Sequence, residues 1–328
     1  MILAGDIGGT KTLLALYQSE GATLQQITRK IYDSQGHAAF AEILADFTTS
    51  VDLSSLSSAA LGIAGPIIDQ TCNTTNLPWA ISGKSLQGQL GLEKVFLLND
   101  LEATAYGMTH LPASDFSSLN RGEPGSSGNI AVIAAGTGLG EALLYHQDDR
   151  WHPIATEGGH CEFAPQTSQQ DNLLHWLRNH YPEHVSLERI LSGPGIVSLY
   201  QFLLDTGFSS PPEEFPATNT EALPDAREIS FQALTGNHPL CVETLRLFTE
   251  IYGAEAGNLA LKSLSRGGVF IGGGIAPKIL PLLKNGVFMD AFTRKGRFSN
   301  LMQSMPVRVS LNQETALIGA AYFAHDHE

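Results

Sequence analysis

A carboxylate, two glycines, two hydroxyls and a lysine crowd into Asp6-Ile7-Gly8-Gly9-Thr10-Lys11-Thr12, between two apolar runs. That combination suits a phosphate. Gly8 and Gly9 carry no Cβ, so their backbone can take positive φ and their amides can close on an anion. Thr10 and Thr12 offer hydroxyls, and Lys11 offers a cation. Asp6 repels a phosphate unless a metal lies between them, so the group reads as a loop for phosphate plus Mg²⁺. An ordinary hairpin with a solvated tip accounts for the same letters. The stretch is not a Walker A loop, whose Lys-Ser/Thr opens a helix, because the strand-like residues 13–17 follow it. It is not a dinucleotide fingerprint either, since the third glycine and the following helix are missing.

Four further groups carry chemistry. Asn99-Asp100 ends the apolar run 95–98, and ligands of open α/β sheets bind beyond the carboxyl ends of strands. Asp100 reads there as a general base for a hydroxyl nucleophile, or as a helix cap. Glu157-Gly158-Gly159-His160 sets a carboxylate and an imidazole around two bare residues. Metal binding finds no other carboxylate or histidine partner nearby in sequence. Hydrogen bonding to a polyhydroxylated ligand suits the pair better, since Glu accepts and His does either. A solvated turn is the plain alternative. Ala135-Gly136-Thr137-Gly138-Leu139-Gly140 repeats the plan of strand, glycine-threonine loop, strand, which makes Gly136, Thr137 and Gly138 a second candidate phosphate loop. Two such hairpins facing each other would clamp a polyphosphate. Gly272-Gly273-Gly274, after a strand and before a helical stretch, suits the ribose and adenine end of a nucleotide or an α-phosphate.

Alternating and helical periodicities supply the elements that position these groups. Strands are expected at 2–5, 13–17, 27–31, 59–64 and 95–98, with helices at 37–47, 82–90 and 101–108. The order βββαβαβα predicts an α/β domain with a mixed sheet. Residues 111–128, rich in Pro, Ser and Gly, read as a boundary. Strands at 130–134, 142–145, 268–271 and 307–311 follow, with helices at 171–181, 195–206, 278–283 and 314–324. A long helical tract at 239–266 is expected to break near Gly253 and Gly257. Residues 209–224, acidic and Pro-rich, read as a surface loop. The last helix is expected to return to the first domain.

With 328 residues, 43% hydrophobic and 16% charged, the chain has room for two domains of ordinary size. Nineteen basic against 33 acidic residues give a net charge of −14, which repels a nucleic-acid backbone. No apolar run reaches the length of a membrane span, and no secretory signal is expected. Cys72, Cys161 and Cys241 are dispersed and odd in number, which points to a reducing compartment. His37, His110, His146 and His152 lack sequence partners and read as structural or surface.

Taken together, seven segments resemble the bacterial glucokinase family in its non-ROK branch, over nearly the whole chain. They are 6–12, Ala64-Gly65-Pro66, Leu98-Asn99-Asp100, 135–140, 156–165, 188–195 and 272–277. The resemblance implies a two-domain actin-like (ribonuclease H-like) α/β fold with a nucleotide and sugar cleft between the domains. It divides the chain into a small domain, 1–110, completed by the helix 314–328, and a large domain, 111–313. It implies ATP-dependent phosphorylation of glucose with Asp100 as base, and Asn99, Asp100, Glu157, His160 and Glu188 on the sugar. Glu188 on local evidence alone is a helix-surface residue. ATP would be held by Asp6, Gly8, Gly9, Thr10, Lys11, Thr12, Gly136, Thr137, Gly138, Gly272, Gly273 and Gly274, with Asp6 reaching Mg²⁺ through water. A cytoplasmic homodimer is implied. The cysteine motif of zinc-binding ROK kinases is absent, so zinc is not expected. A kinase of another hexose or amino sugar, and a non-catalytic sugar-sensing regulator, are the alternatives. Glu141 departs from expectation, because an uncharged residue is expected directly after the second loop.

Overall fold

The computed structural model describes residues 1–49, 51–74, 77–123, 127–148, 150–212 and 223–328. The chain order opens with β1 (Ile2–Ile7), β2 (Lys11–Glu20), β3 (Thr23–Asp33), α1 (Phe40–Thr48), β4 (Ser58–Ile63), β5 (Thr71–Asn73), β6 (Ala80–Ser82), α2 (Gly83–Leu90), β7 (Val95–Asn99) and α3 (Asp100–Met108). It continues with β8 (Phe116–Asn120), β9 (Ile130–Ala135), β10 (Leu139–Gln147), β11 (Arg150–Ala155), α4 (Ser168–His180), α5 (Gly193–Asp205), α6 (Ala226–Leu234) and α7 (Pro239–Ser263). It closes with β12 (Gly268–Gly272), α8 (Leu280–Leu283), α9 (Val287–Thr293), α10 (Ser299–Ser304), β13 (Val307–Ser310) and α11 (Thr315–Asp326). Two compact units result. One comprises Met1–Asp115, Ala142–Ala155 and Asn312–Glu328, and the other Phe116–Glu141 and Thr156–Leu311. The segment 142–155 thus groups with the first unit, whereas the sequence division assigns it to the second.

The first unit is built on a five-stranded sheet of order β3-β2-β1-β4-β7. β1 runs antiparallel to β2 and parallel to β4, which is parallel to β7. Strand alternation sends successive side chains to opposite faces. Leu3, Ile7, Leu14, Leu61 and Ile63 meet Phe40, Ile43 and Phe47 of α1 on one face. Ile2, Ala4, Leu13, Ala15 and Ala60 meet Leu317, Ala320 and Ala321 of α11 on the other. Helices α3 and α11 touch backbone to backbone. A Cβ on Gly107 would overlap the Thr315 carbonyl, and one on Gly319 the Ala103 carbonyl. The register pairs Asp6 with Gly62 and Ile63 with Asn99. The carboxyl ends of β1, β4 and β7 therefore bring Asp6 and Asn99-Asp100 to one edge.

In the second unit β9, β12 and β13 run parallel, and β8 closes the edge antiparallel to β13. Parallel pairing of β9 with β12 sets Ala134 opposite Gly272, so the second glycine loop and the triple glycine leave the sheet side by side. The expected break in the helical tract is absent: α7 is continuous for 25 residues. Its glycines serve proximity instead. A Cβ on Gly253 would overlap the Phe288 carbonyl, and one on Gly257 would lie 2.7 Å from that of Phe292. The expected boundary at 111–128 contains β8, and residues 124–126 lie outside the described residues. The same holds for 213–222 of the expected surface loop. Among the described residues no helix is long and apolar enough to cross a membrane.

Candidate active site

The site residues form two groups, one in each unit. In the first, β1 and β2 are the expected hairpin, closed by Gly8 N–H donating to the Lys11 carbonyl at 3.0 Å. Gly8 is required for closeness rather than handedness: its φ is not positive, and a Cβ there would sit 3.2 Å from the Lys11 carbonyl oxygen. Ser34 braces the loop from beneath. Its hydroxyl donates to the Gly8 carbonyl at 2.8 Å and lies 2.9 Å from Thr12 Oγ1, while its N–H donates to the Thr10 carbonyl at 3.0 Å. Thr12 is therefore buried, with its hydroxyl turned to Ser34, and it shapes the hairpin instead of presenting a donor at the tip. Thr10 and Lys11 are the exposed members.

Asn99 caps α3. Its Oδ1 accepts from Leu101 N–H at 2.9 Å, and the Glu102 carboxylate accepts from Asn99 N–H at 3.2 Å, the reciprocal pattern of a capping box. The Asn99 amide also donates to the Gly65 carbonyl at 3.1 Å, tying β7 to the turn after β4. The capping role considered for Asp100 thus falls to Asn99. Asp100 begins the helix, and one of its oxygens accepts from Leu101 N–H at 2.9 Å. Helix N-termini favour a carboxylate. Asp6 feels that charge: burial first, then Asp100, pushes its carboxyl up to about 6, with Lys11 pulling the other way. Two carboxylates and a lysine beside a glycine loop make a place where a divalent cation is electrostatically welcome.

In the second unit the loop after β9 folds back on itself, with Gly136 N–H donating to the Gly138 carbonyl at 2.8 Å. A Cβ at Gly136 would meet open space, so its backbone is open to a ligand. Glu188 reaches this loop from the 3₁₀ turn Leu187–Arg189 and accepts from Leu139 N–H at 2.9 Å. A Cβ on Gly138 would overlap its Oε2. The Gly193 N–H, at the start of α5, donates to the Gly136 carbonyl at 2.8 Å. The Glu157–His160 motif is a tight turn, with His160 N–H donating to the Glu157 carbonyl at 3.0 Å. Its Gly159 packs on Leu139 so closely that a Cβ would overlap the Leu139 carbonyl. Glu157 and His160 are both exposed on that turn, and the His160 carbonyl accepts from His184 Nε2 at 2.8 Å.

The triple glycine differs from expectation in one respect. No helix starts beside it, because α8 begins only at Leu280. Gly273 turns the chain at φ 80° against the Ala135 carbonyl, where a Cβ would overlap, and Gly274 faces open space. Bare backbone is thus offered without a helix N-terminus. Ser34 and Glu141 are the residues sequence reading passed over or left unplaced. Nothing local marks Ser34, whose partners are remote in sequence, while Glu141 is marked by its charge.

The arrangement of parallel strands, paired glycine hairpins and flanking helices defines a class, the sugar kinases of the actin-like ATPase fold. Residues 3–327 match the family model for glucokinase. A glucokinase of Nostoc punctiforme is 40% identical over 99% of this chain and 98% of its own. The crystal structure of a glucokinase from an Antarctic psychrotroph superposes with a TM-score of 0.88, at 31% identity over 99% and 98% of the two chains. That of Balamuthia mandrillaris glucokinase, in complex with glucose, has a TM-score of 0.76 at 24% identity, over 99% and 93%. The chain belongs to the glucokinase family.

Proposed function

We propose that the protein transfers the γ-phosphoryl group of ATP to the 6-hydroxyl of glucose, with Asp100 as general base. Asp100 accepts the hydroxyl proton as the sugar oxygen bonds to the γ-phosphorus and the bond to ADP breaks. Such a transfer asks for positioning and charge neutralisation more than covalent chemistry. Both glycine loops, Gly8–Lys11 and Gly136–Gly138, and the bare backbone at Gly272–Gly274 bind the nucleotide, with Lys11 as the cation and Thr12 shaping the first loop from within. Asn99, Glu157, His160 and Glu188 bind the sugar hydroxyls. Asp6, through water, would hold Mg²⁺, which neutralises phosphate charge when bound. The observation that carries this reading is the meeting of Asp6 and Asp100 at one strand edge beside the first glycine loop, with the Asp6 carboxyl pushed up to about 6 by burial and then by the Asp100 charge.

The protein is proposed to be a homodimer of the cytoplasm; Cys72 and Cys241 are buried and Cys161 is exposed, all three as free thiols. A coupled assay with ATP and a panel of hexoses tests the function: phosphorylation of glucose ahead of mannose, galactose and glucosamine is expected. Equal turnover of another hexose or an amino sugar would reassign the substrate, and sugar binding without turnover would make the protein a sensor.

A further inference from the structure

Glu141 follows the second glycine loop, and its surroundings are unusual for a carboxylate. It is 1% exposed, and its Oε1 has no hydrogen-bond partner among the described residues. It lies directly under the Glu157–His160 turn. A Cβ on Gly158 would overlap Glu141 Oε2. The Glu141 carbonyl accepts from Thr156 Oγ1 at 2.7 Å, and that hydroxyl oxygen accepts from Gly158 N–H at 3.1 Å.

The groups facing it come from every element packed around the pair. Helix α7 contributes Tyr252, Glu255 and Lys262. Glu255 is 5% exposed; its Oε2 accepts from Asn258 at 2.9 Å, and its Oε1 has only Lys262 Nζ, at 3.8 Å. Lys295, after α9, acts on Glu255 and spends its ammonium on the Ala254 carbonyl and Asn258 Oδ1. The turn above carries Glu157 and His160. Burial first, and then Glu255, pushes the Glu141 carboxyl up to about 7, with Lys262 pulling it back. An ionised carboxylate in a dry site needs water or a partner. On the side of the turn there is no room for either, because Gly158 rests on the carboxyl itself.

We propose that Glu141 is a positioning residue for the sugar: its uncharged carboxyl is the floor on which the Glu157–His160 turn rests, and a charge on it lifts that turn and weakens the hold on glucose. This rests on the reading of Glu157 and His160 as sugar ligands. Below neutral pH the carboxyl keeps its proton and the turn is seated. Above it, a second negative charge appears beneath Glu157 and beside Glu255.

Glu141→Gln, an isostere that never ionises, separates this from other titrations. Between about pH 6 and about pH 8.5 the KM for glucose of the unaltered protein should climb at least about threefold, within the tenfold per pH unit that one linked proton allows. The KM for ATP should not follow it. In the Gln variant the climb should vanish, and near pH 6 the two proteins should agree within about twofold. The same climb in both proteins would overturn the proposal. A fold-independent check uses the packing: Gly158→Ala should raise the KM for glucose, and adding Glu141→Ala should recover part of it. No recovery would count against a carboxyl floor. Glu157→Gln, measured alongside, distinguishes the two levels. If it leaves the KM for glucose unchanged, the sugar assignment fails and the proposal with it. If it raises that KM while Glu141→Gln keeps the pH climb, only the role of Glu141 fails.

Discussion

If Glu188 holds the sugar as proposed, removing its side chain should perturb both ligands at once, because that carboxylate is also bonded to the second glycine loop. Glu188→Ala leaves Leu139 N–H without the acceptor it has at 2.9 Å. A hydrogen bond to a charged group contributes about 1.5–3 kcal/mol, and an orphaned donor costs about 1–3 kcal/mol. At about 1.4 kcal/mol per tenfold, the lower half of that range is roughly five- to thirtyfold in the equilibrium the loop controls. The lower half applies because Glu188 is only partly buried. The loss should appear in the KM for ATP, through the slackened 136–139 loop, and in the KM for glucose, through the missing sugar acceptor. Glu188→Gln retains an oxygen that can accept from Leu139 N–H, so its effect on ATP should stay within about threefold. The assay is steady-state turnover over a grid of both substrates, with thermal unfolding as a check on folding. A Glu188→Ala protein whose KM for glucose rises alone would refute the reasoning, since the bond to Leu139 would then do nothing for the nucleotide.

Glu157→Gln should raise the KM for glucose by about tenfold, leave that for ATP nearly unchanged and weaken discrimination against mannose and galactose, because it replaces half of an acceptor pair by a donor. A hexose panel checks this. Asp6 is an acid with its pKa raised in the fold to about 6. The unfolded chain therefore loses this proton first, near 3.9, and the stability contributed by the protonated form declines as pH rises from there through about 6. On the proposed role the ionised form of Asp6 is the working one, so kcat/KM should rise with pH through about 6, and the limb should disappear in Asp6→Asn. EDTA should abolish turnover and added Mg²⁺ restore it. Gly253→Ala should lower the melting temperature by several degrees, because overpacking against the Phe288 carbonyl costs about 1–3 kcal/mol.

The parts of the candidate site whose local structure was legible in the sequence are those in which chemistry and conformation share one short stretch. The Asp6–Thr12 hairpin declares itself by glycines between β-rich runs, and Asn99-Asp100 by a buried strand ending in polar residues. What stayed hidden depends on partners far along the chain. Glu188 and Leu139 are 49 residues apart, and neither segment alone suggests that a carboxylate braces a glycine loop. Ser34 supports Gly8 across 26 residues. The edge strand β8, Phe116–Asn120, lacks an alternating pattern and sits among Pro, Ser and Gly, so composition reads it as linker. The glycines of α7 read as breaks because their service to α9 is tertiary. Glu141 was conspicuous by charge, yet nothing local in the sequence tells that it is buried beneath Gly158.

The central claim is that Asp100 takes the proton from the sugar. Asp100→Asn keeps the shape and removes the base, and its kcat with saturating ATP and glucose is the direct measurement. With glucose binding by calorimetry largely retained, kcat should fall at least about 100-fold, the usual scale for general base catalysis. Near-unaltered turnover in that variant would contradict the account.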